Sequence, residues 1–247
     1  MTLAGCSLEE PIPSASGDFR PEREVVGRST EGRPIELIVL GSPEAPVVLL
    51  FGVIHGNEPI GRDVLECLAT DLRGQPDVLR RNRVVIVPVV NPDGLARGTR
   101  GNARGVDLNR NFPSRNWQAK SRHGEYPSSE EETRVLLKVL RQFRPERILS
   151  IHSPLDCINF DGPAATVAAR FAALTGYPLK PYIGYPTPGS FGSYAGGDLA
   201  IPTLTIETAS HDDVATGWTR LRPGLLDFIG TRSGERDLVA EATPADD

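Results

Sequence analysis

His55, Glu58 and His152 carry the most chemistry of any residues in this chain of 247. Val53-Ile54-His55-Gly56-Asn57-Glu58 closes one strongly apolar run, and Ser150-Ile151-His152-Ser153 closes another. Two imidazoles and one carboxylate are a common ligand set for a catalytic zinc, and they leave a fourth position open for water. The chain has only 4 histidines, and two of them stand at the ends of separate apolar runs. A ring nitrogen and a carboxylate oxygen both bind zinc at about 2.0–2.2 Å. The short step from His55 to Glu58 lets both reach one ion where a strand gives way to a turn, and a distant third ligand ties in a second strand. Either histidine alone fits better as an ordinary hydrogen-bonded residue at a strand end. The rest of the chain shifts that balance.

Asn91-Pro92-Asp93-Gly94 follows the apolar run 84–90 and reads as a tight turn leaving a buried strand. Gly105-Val106-Asp107-Leu108-Asn109-Arg110-Asn111-Phe112-Pro113 comes next. Arg110 offers a planar fork of donors suited to a carboxylate, and Asn109 can add an amide donor. Alone, such a loop is more often a solvated turn. Pro202-Thr203-Leu204-Thr205-Ile206-Glu207-Thr208 is a short β-rich run with one acid. A glutamate on a half-buried strand usually faces solvent, whereas one beside a catalytic metal is a natural general base for water.

In chain order, His55-Gly56-Asn57-Glu58, Asn91-Pro92-Asp93-Gly94, Arg100, Asp107 to Phe112, His152 and Glu207 resemble the zinc carboxypeptidase family. The match spans about residues 47–208. The resemblance implies one zinc per chain, held by His55, Glu58 and His152, with Glu207 as general base. It implies Asn109 and Arg110 as anchors for the substrate's terminal carboxylate, and Arg100 as the arginine that polarises the scissile carbonyl. Arg97 and Arg104 compete for that last role. Many members also carry a tyrosine on a mobile loop ahead of the catalytic glutamate. Tyr185 suits that place, within a Gly- and Pro-rich stretch that reads as a loop, with Tyr182 and Tyr194 as neighbours.

A closer resemblance is to bacterial murein peptide amidases, which cut the γ-D-glutamyl–diaminopimelate bond of cell-wall peptides. It rests on Arg100 to Asp107, His152-Ser153-Pro154-Leu155 and Pro188-Gly189-Ser190-Phe191-Gly192-Ser193. The function implied is hydrolysis of an amide next to a free terminal carboxylate. A zwitterionic diaminopimelate side chain would need a polar pocket. Asp156, Asp161 and Asp198 are candidates for its ammonium group, and arginines near Arg100 for its extra carboxylate. The rival readings are an ordinary carboxypeptidase on α-linked peptides, a related N-acyl amino acid deacylase, and a non-catalytic peptidoglycan-binding domain. Glu207 argues against the last, because binding alone needs no base.

With 27 basic and 32 acidic residues the net charge is −5, without the basic excess of a nucleic-acid footprint. The arginines from Arg80 to Arg122 are locally dense and suit an anionic peptide, or simply a solvated face. The 3 cysteines are too few for a disulfide scaffold. Cys67 fits a small core residue, and Cys157 is a weak alternative metal ligand beside a set already complete. No apolar stretch reaches the roughly 18–20 residues of a spanning helix. As written the chain reads as cytoplasmic. Leu3-Ala4-Gly5-Cys6 resembles a lipobox, which with an upstream start would make the protein periplasmic or lipid-anchored. The oligomeric state is not legible.

These residues need strand ends to hold them. Hydrophobic patterning predicts a hairpin of strands at 24–28 and 35–40, buried strands at 47–54 and 84–90, and further strands at 147–152 and 203–207. It predicts helices over 60–72, over 130–143 capped by Ser128 or Ser129, over 164–175 stopped by Gly176, and over about 212–229 interrupted at Gly224. Alternating helices and buried strands specify an α/β fold: a single domain with a mixed open sheet flanked by helices, zinc carboxypeptidase-like. Ligands at strand C-termini match the usual crevice of such sheets. The expected organisation is a flexible segment at 1–21, a catalytic domain at 22–231 and a loose tail at 232–247.

Overall fold

The computed structural model describes residues 21–210 and 212–231. The Leu3-Ala4-Gly5-Cys6 stretch, the N-terminal segment up to residue 20 and the tail from residue 232 lie outside the described residues.

Seven strands form one sheet in the order β1-β2-β4-β3-β5-β7-β6. β1 (Glu22–Arg28) and β2 (Pro34–Gly41) are the predicted hairpin, antiparallel to each other and, through β2, to β4 (Arg83–Val87). β4, β3 (Val47–Gly52), β5 (Arg147–His152) and β7 (Thr203–Ala209) run parallel through the middle. Parallel strands buried on both faces read as continuous apolar runs, which is why Val47 to Phe51 shows little alternation. The two faces still sort their side chains. Val48, Leu50, Val84, Ile86, Leu149 and Ile151 join a core under α1 (Ile60–Asp71), α5 (Ala165–Thr175) and α6 (Val214–Gly230). Leu49, Phe51, Val85, Val87 and Ile148 join a second core under α4 (Glu131–Phe143). Truncating a buried leucine such as Leu49 to alanine would cost roughly 2–5 kcal/mol. Among the described residues no helix is long and apolar enough to cross a membrane.

Several boundaries differ from the expectation for local reasons. β3 stops at Gly52 because Val53, fully buried, takes a left-handed backbone with φ 49. That conformation costs a β-branched residue about 1–3 kcal/mol. It is held by Asn91 N–H donating to Val53 O at 2.9 Å and Val90 N–H to Gly52 O at 3.1 Å. Asn91-Pro92-Asp93-Gly94 is the start of a short helix, α3 (Pro92–Arg97), rather than a free turn. Asn91 is its N-cap, accepting from Gly94 N at 2.9 Å. α4 begins after Glu130; neither Ser128 nor Ser129 is its cap residue. Gly224 does not interrupt α6, which runs through it and Pro223. A Cβ there would lie 2.6 Å from Thr175 Cγ2 and 3.0 Å from Phe171, so the glycine allows α5 and α6 to touch. Hydrophobic patterning did not reveal α2 (Pro76–Arg81) or the antiparallel edge strand β6 (Leu155–Asp161), whose residues are mostly half-exposed. Cys67 is half-buried rather than in the core.

Candidate active site

The carboxyl ends of β3, β5 and β7 converge on one cleft. Its lining includes His55, Glu58, Arg100, Asn109, Arg110, His152, Tyr185 and Glu207. His55 and Glu58 sit on the loop that the left-handed Val53 redirects out of β3. That loop packs tightly on α3: a Cβ at Gly56 would lie 2.0 Å from Gly94 carbonyl carbon. Asn91 Nδ2 reaches Ile54 O at 3.3 Å and Arg100 O at 3.4 Å, so the Asn91 cap also braces the loop from below.

His55, Glu58 and His152 form the group able to hold a metal ion among the described residues, with ligand atoms within 4.8 Å of one another and all three side chains buried. Cys157, buried on β6, is not part of the group. His55 Nδ1 lies 2.9 Å from Glu58 Oε1, and His152 Nδ1 lies 3.0 Å from Glu58 Oε2 and 3.2 Å from His55 Nδ1. His55 Nε2 meets Asp107 Oδ1 at 3.1 Å. A carboxylate accepting from Nε2–H fixes the tautomer and leaves a lone pair on Nδ1, facing the other two ligands. Two ring nitrogens and a carboxylate turned inward at such distances suit a cation, so the donor set fits zinc. Burial disfavours charge on Glu58, but its two histidine partners outweigh this and hold its pKa down at about 2. Burial likewise lowers the His55 pKa, and the flanking Asp107 and Glu58 carboxylates more than offset it, leaving a net rise.

Arg100 is the only one of the three competing arginines in the cleft lining. Its Nε donates to Asp107 Oδ2 at 3.0 Å, and its Nη1 lies 3.4 Å from Glu58 Oε1. Arg97 instead pairs with Glu31, and Arg104 with Glu130. Glu207 faces the cleft from β7, in register with His152 of β5. Burial pushes its carboxyl above the usual glutamate range.

The other end of the cleft combines loops with the strands β5, β6 and β7 beneath them. Asn109 Oδ1 accepts from Phe191 N at 2.9 Å, and its Nδ2 has no protein partner among the described residues. Arg110 is half-buried, with Nη1 donating to Asn109 O at 2.6 Å. Tyr185 lines the cleft, whereas Tyr182 and Tyr194 do not. Tyr185 is still 45% exposed, on a segment bounded by Gly184 and Gly189, both at positive φ. Below lie Ser150, Thr205, Asn159 and Asp161. Among the three aspartates considered for an ammonium group, Asp156 pairs with Arg220 at 2.9 Å, and Asp198 accepts from Arg115 N at 2.7 Å. Asp161 lines the cleft with no ion-pair partner among the described residues, and burial raises its pKa. Glycine backbone makes room for it: a Cβ at Gly192 would sit 2.1 Å from Asp161 Oδ2. Asp107 is a functional candidate that sequence reasoning saw only as part of a motif. Its contact with His55 spans 52 positions and needs the fold.

A family model described as zinc carboxypeptidase matches residues 19–165. Murein peptide amidase A of Escherichia coli K12 is 36% identical over 207 residues, covering 77% of this chain and 83% of that protein. The crystal structure of murein-tripeptide amidase MpaA from Escherichia coli O157 superposes with a TM-score of 0.70 at 31% identity, covering 87% of this chain and 94% of the other. Carboxypeptidase A from Helicoverpa armigera reaches 0.74 at 21% identity, covering 91% and 70%, a likeness of fold.

Proposed function

This chain belongs to the zinc carboxypeptidase family and is a metallopeptidase, and from that premise we propose that it cleaves the γ-D-glutamyl–diaminopimelate bond of murein peptides with one zinc per chain. The observation that carries the chemistry is the buried His55–Glu58–His152 group, in a cleft that Glu207 and Arg100 also line. The murein assignment draws on the two amidase relatives and on Asp161.

His55, Glu58 and His152 would hold the zinc, which when bound supplies a Lewis acid for the carbonyl and lowers the pKa of water. Glu207 takes the proton of the attacking water and passes it to the leaving amine. Its raised pKa makes it a stronger base for the first of those transfers. The guanidinium of Arg100 donates to the oxygen that gains charge, a contribution typically worth about 2.7–4 kcal/mol per donor. Asp107 holds His55 in the tautomer that presents Nδ1. Arg110 and the free Nδ2 of Asn109 grip the terminal carboxylate, and Tyr185 closes over it. Only a chain-terminal residue then lies in register, and such orientation supplies several kcal/mol of the barrier.

Asp161 supports a released residue whose side chain ends in an ammonium group, amid the hydroxyl and amide groups of Ser150, Thr205 and Asn159. Diaminopimelate meets that demand. So does a C-terminal lysine on an ordinary α-linked peptide, which is the second reading. The deciding measurement is kcat/KM on L-Ala-γ-D-Glu-diaminopimelate against an α-linked peptide ending in Lys. A preference for the γ-linked substrate is expected. The reverse preference would leave the metallopeptidase chemistry standing and defeat the murein assignment.

A further inference from the structure

Arg100 and Asp107 belong to one loop, and a bracket outside the cleft sets the shape of that loop. At its centre is Asn102, 3% exposed. Its Oδ1 accepts from Arg104 N at 3.0 Å and from Val106 N at 3.1 Å. Its backbone N–H donates to Val106 O and its carbonyl accepts from Gly105 N, both at 2.9 Å. These bonds curl residues 102–106 into a closed turn. Arg100 and Asp107, at the two mouths of the turn, then meet at 3.0 Å.

The turn is fastened to the body of the protein by the other end of the same amide. Asn102 Nδ2 donates to Glu130 Oε2 at 2.7 Å and to Glu132 Oε2 at 3.1 Å. Both glutamates are buried, at 2% and 0% exposure, in the N-cap and first turn of α4. The positive end of the helix dipole offsets part of the cost of burying them. Glu130 also accepts from Ser129 Oγ at 2.7 Å, and Glu132 Oε1 from Thr30 N at 2.9 Å. α4 itself is anchored in the second core through Leu136, Leu137, Val139, Leu140 and Phe143. Glu130 Oε2 is also met by Arg104 Nη1 at 3.3 Å, whereas Glu132 Oε2 has Asn102 as its one hydrogen-bond donor among the described residues. A buried acceptor left without its donor keeps the cost of its lost hydration with nothing to offset it.

We infer that Asn102, clamped by Glu130 and Glu132, is a positioning residue for the reaction: it sets where Arg100 stands relative to the scissile carbonyl and how firmly Asp107 orients His55. None of Asn102, Glu130 and Glu132 lines the cleft. The effect of the bracket passes through the two loop ends, and misplacing a reacting group by about 1 Å can cost about 10²-fold in rate. This inference rests on the roles proposed above for Arg100 and Asp107.

The test compares Asn102→Ala, Arg100→Ala and a swap that combines Asn102→Asp with Glu130→Gln and Glu132→Gln, all on the same γ-linked tripeptide, with thermal unfolding measured alongside. The swap exchanges amide and carboxylate. The two amides introduced on α4 donate back across the same gaps, and the carboxylate introduced in the turn meets no like charge from either. Asn102→Ala is expected to lower kcat by about ten- to a hundredfold with KM within about threefold, because the Asn102 side chain makes no hydrogen bond to Asn109 or Arg110. The swap should recover most of that kcat. Metal affinity, read by chelator competition without substrate, should weaken in Asn102→Ala and recover in the swap. A folded Asn102→Ala with wild-type kcat and metal affinity would overturn the bracket. So would a folded swap whose kcat stays as low as that of Asn102→Ala. If Asn102→Ala does not fold, the folded swap alone decides, against wild type. Undiminished kcat in Arg100→Ala would instead overturn the reading of the cleft.

Discussion

The two ends of the cleft are built differently. The metal end comes from strand termini and a clamped loop: His55, Glu58, His152 and Glu207 are all under a tenth exposed. His55, Glu58 and His152 each contact at least one other, and Asp107 and Thr208 brace the histidines from behind, Thr208 Oγ1 donating to His152 O at 3.1 Å. The recognition end comes from the segment around Tyr185, bounded by glycines at positive φ, and from Asp161 at the end of β6, which has no ion-pair partner among the described residues. Rigid placement serves proton and charge transfer, where small errors of position are costly. A loop-built wall serves selection, where substrates must enter and leave.

That contrast can be broken most sharply at the metal end. His152→Ala removes one of three protein ligands and should abolish both metal content and turnover. Full metal content by elemental analysis in that variant would remove His152 from the ligand set. Glu207→Gln keeps the shape but cannot accept a proton, and should lower kcat by about 10²–10⁴-fold while metal content stays at the wild-type level. Undiminished turnover would move the base elsewhere.

Effects at the recognition end should be smaller and should fall on selectivity. Arg110→Ala should raise KM and lower kcat for substrates with a free terminal carboxylate, and wild type should be poor on the same substrate amidated there. Equal rates on both forms would end the anchoring role of Asn109 and Arg110. Asp161→Asn should cost about tenfold or more in kcat/KM for a side chain bearing an ammonium group, about 1.4 kcal/mol per tenfold. It should leave a substrate ending in Ala nearly unchanged. A uniform loss across both substrates would make Asp161 structural.

The gentlest test uses acid. The pKa of His55 is raised in the metal-free protein, so its proton persists to a higher pH than the ordinary histidine value of about 6.5. A metal must displace that proton, so affinity should fall steadily as pH drops through that region. Chelator competition across the range reads it directly, and a flat profile would mean that His55 does not ligate the ion.

Much of the metal end was legible because its residues sit at the ends of long apolar runs. The signal is local, with His55 closing one run and His152 another, and the sheet aligns β3 and β5 as neighbours in the order β4-β3-β5-β7. The Asn109–Arg110 pair was legible through a continuous motif. What escaped depends on contacts across the fold. The Asn91 turn signal is a helix cap because Pro92 and Gly94 continue into α3 beneath the His55 loop. The strain at Val53 leaves no trace in a valine's propensity, since only packing imposes it. Asp161 stands out from Asp156 and Asp198 only once Arg220 and Arg115 are seen to engage the others. β6 escaped because an edge strand with half-exposed residues lacks a clean alternation.

The place of His55, Glu58 and His152 at the ends of two central strands has a thermodynamic consequence. β3, β5 and β7 are adjacent in space but distant in sequence, with His152 paired to Glu207 in register. His55 and Glu58, just past β3, meet His152 only where β3 and β5 pair, across about a hundred positions of sequence in a contact that the folded sheet supplies. An unfolded chain offers an ion no comparable grip. Every increment of metal occupancy is thus an increment of fold stability: an ion at about a hundred times its Kd adds about 2.7 kcal/mol. The same three side chains that would do the chemistry act as a latch across the sheet, and the ion supply of the compartment sets how firmly it is fastened.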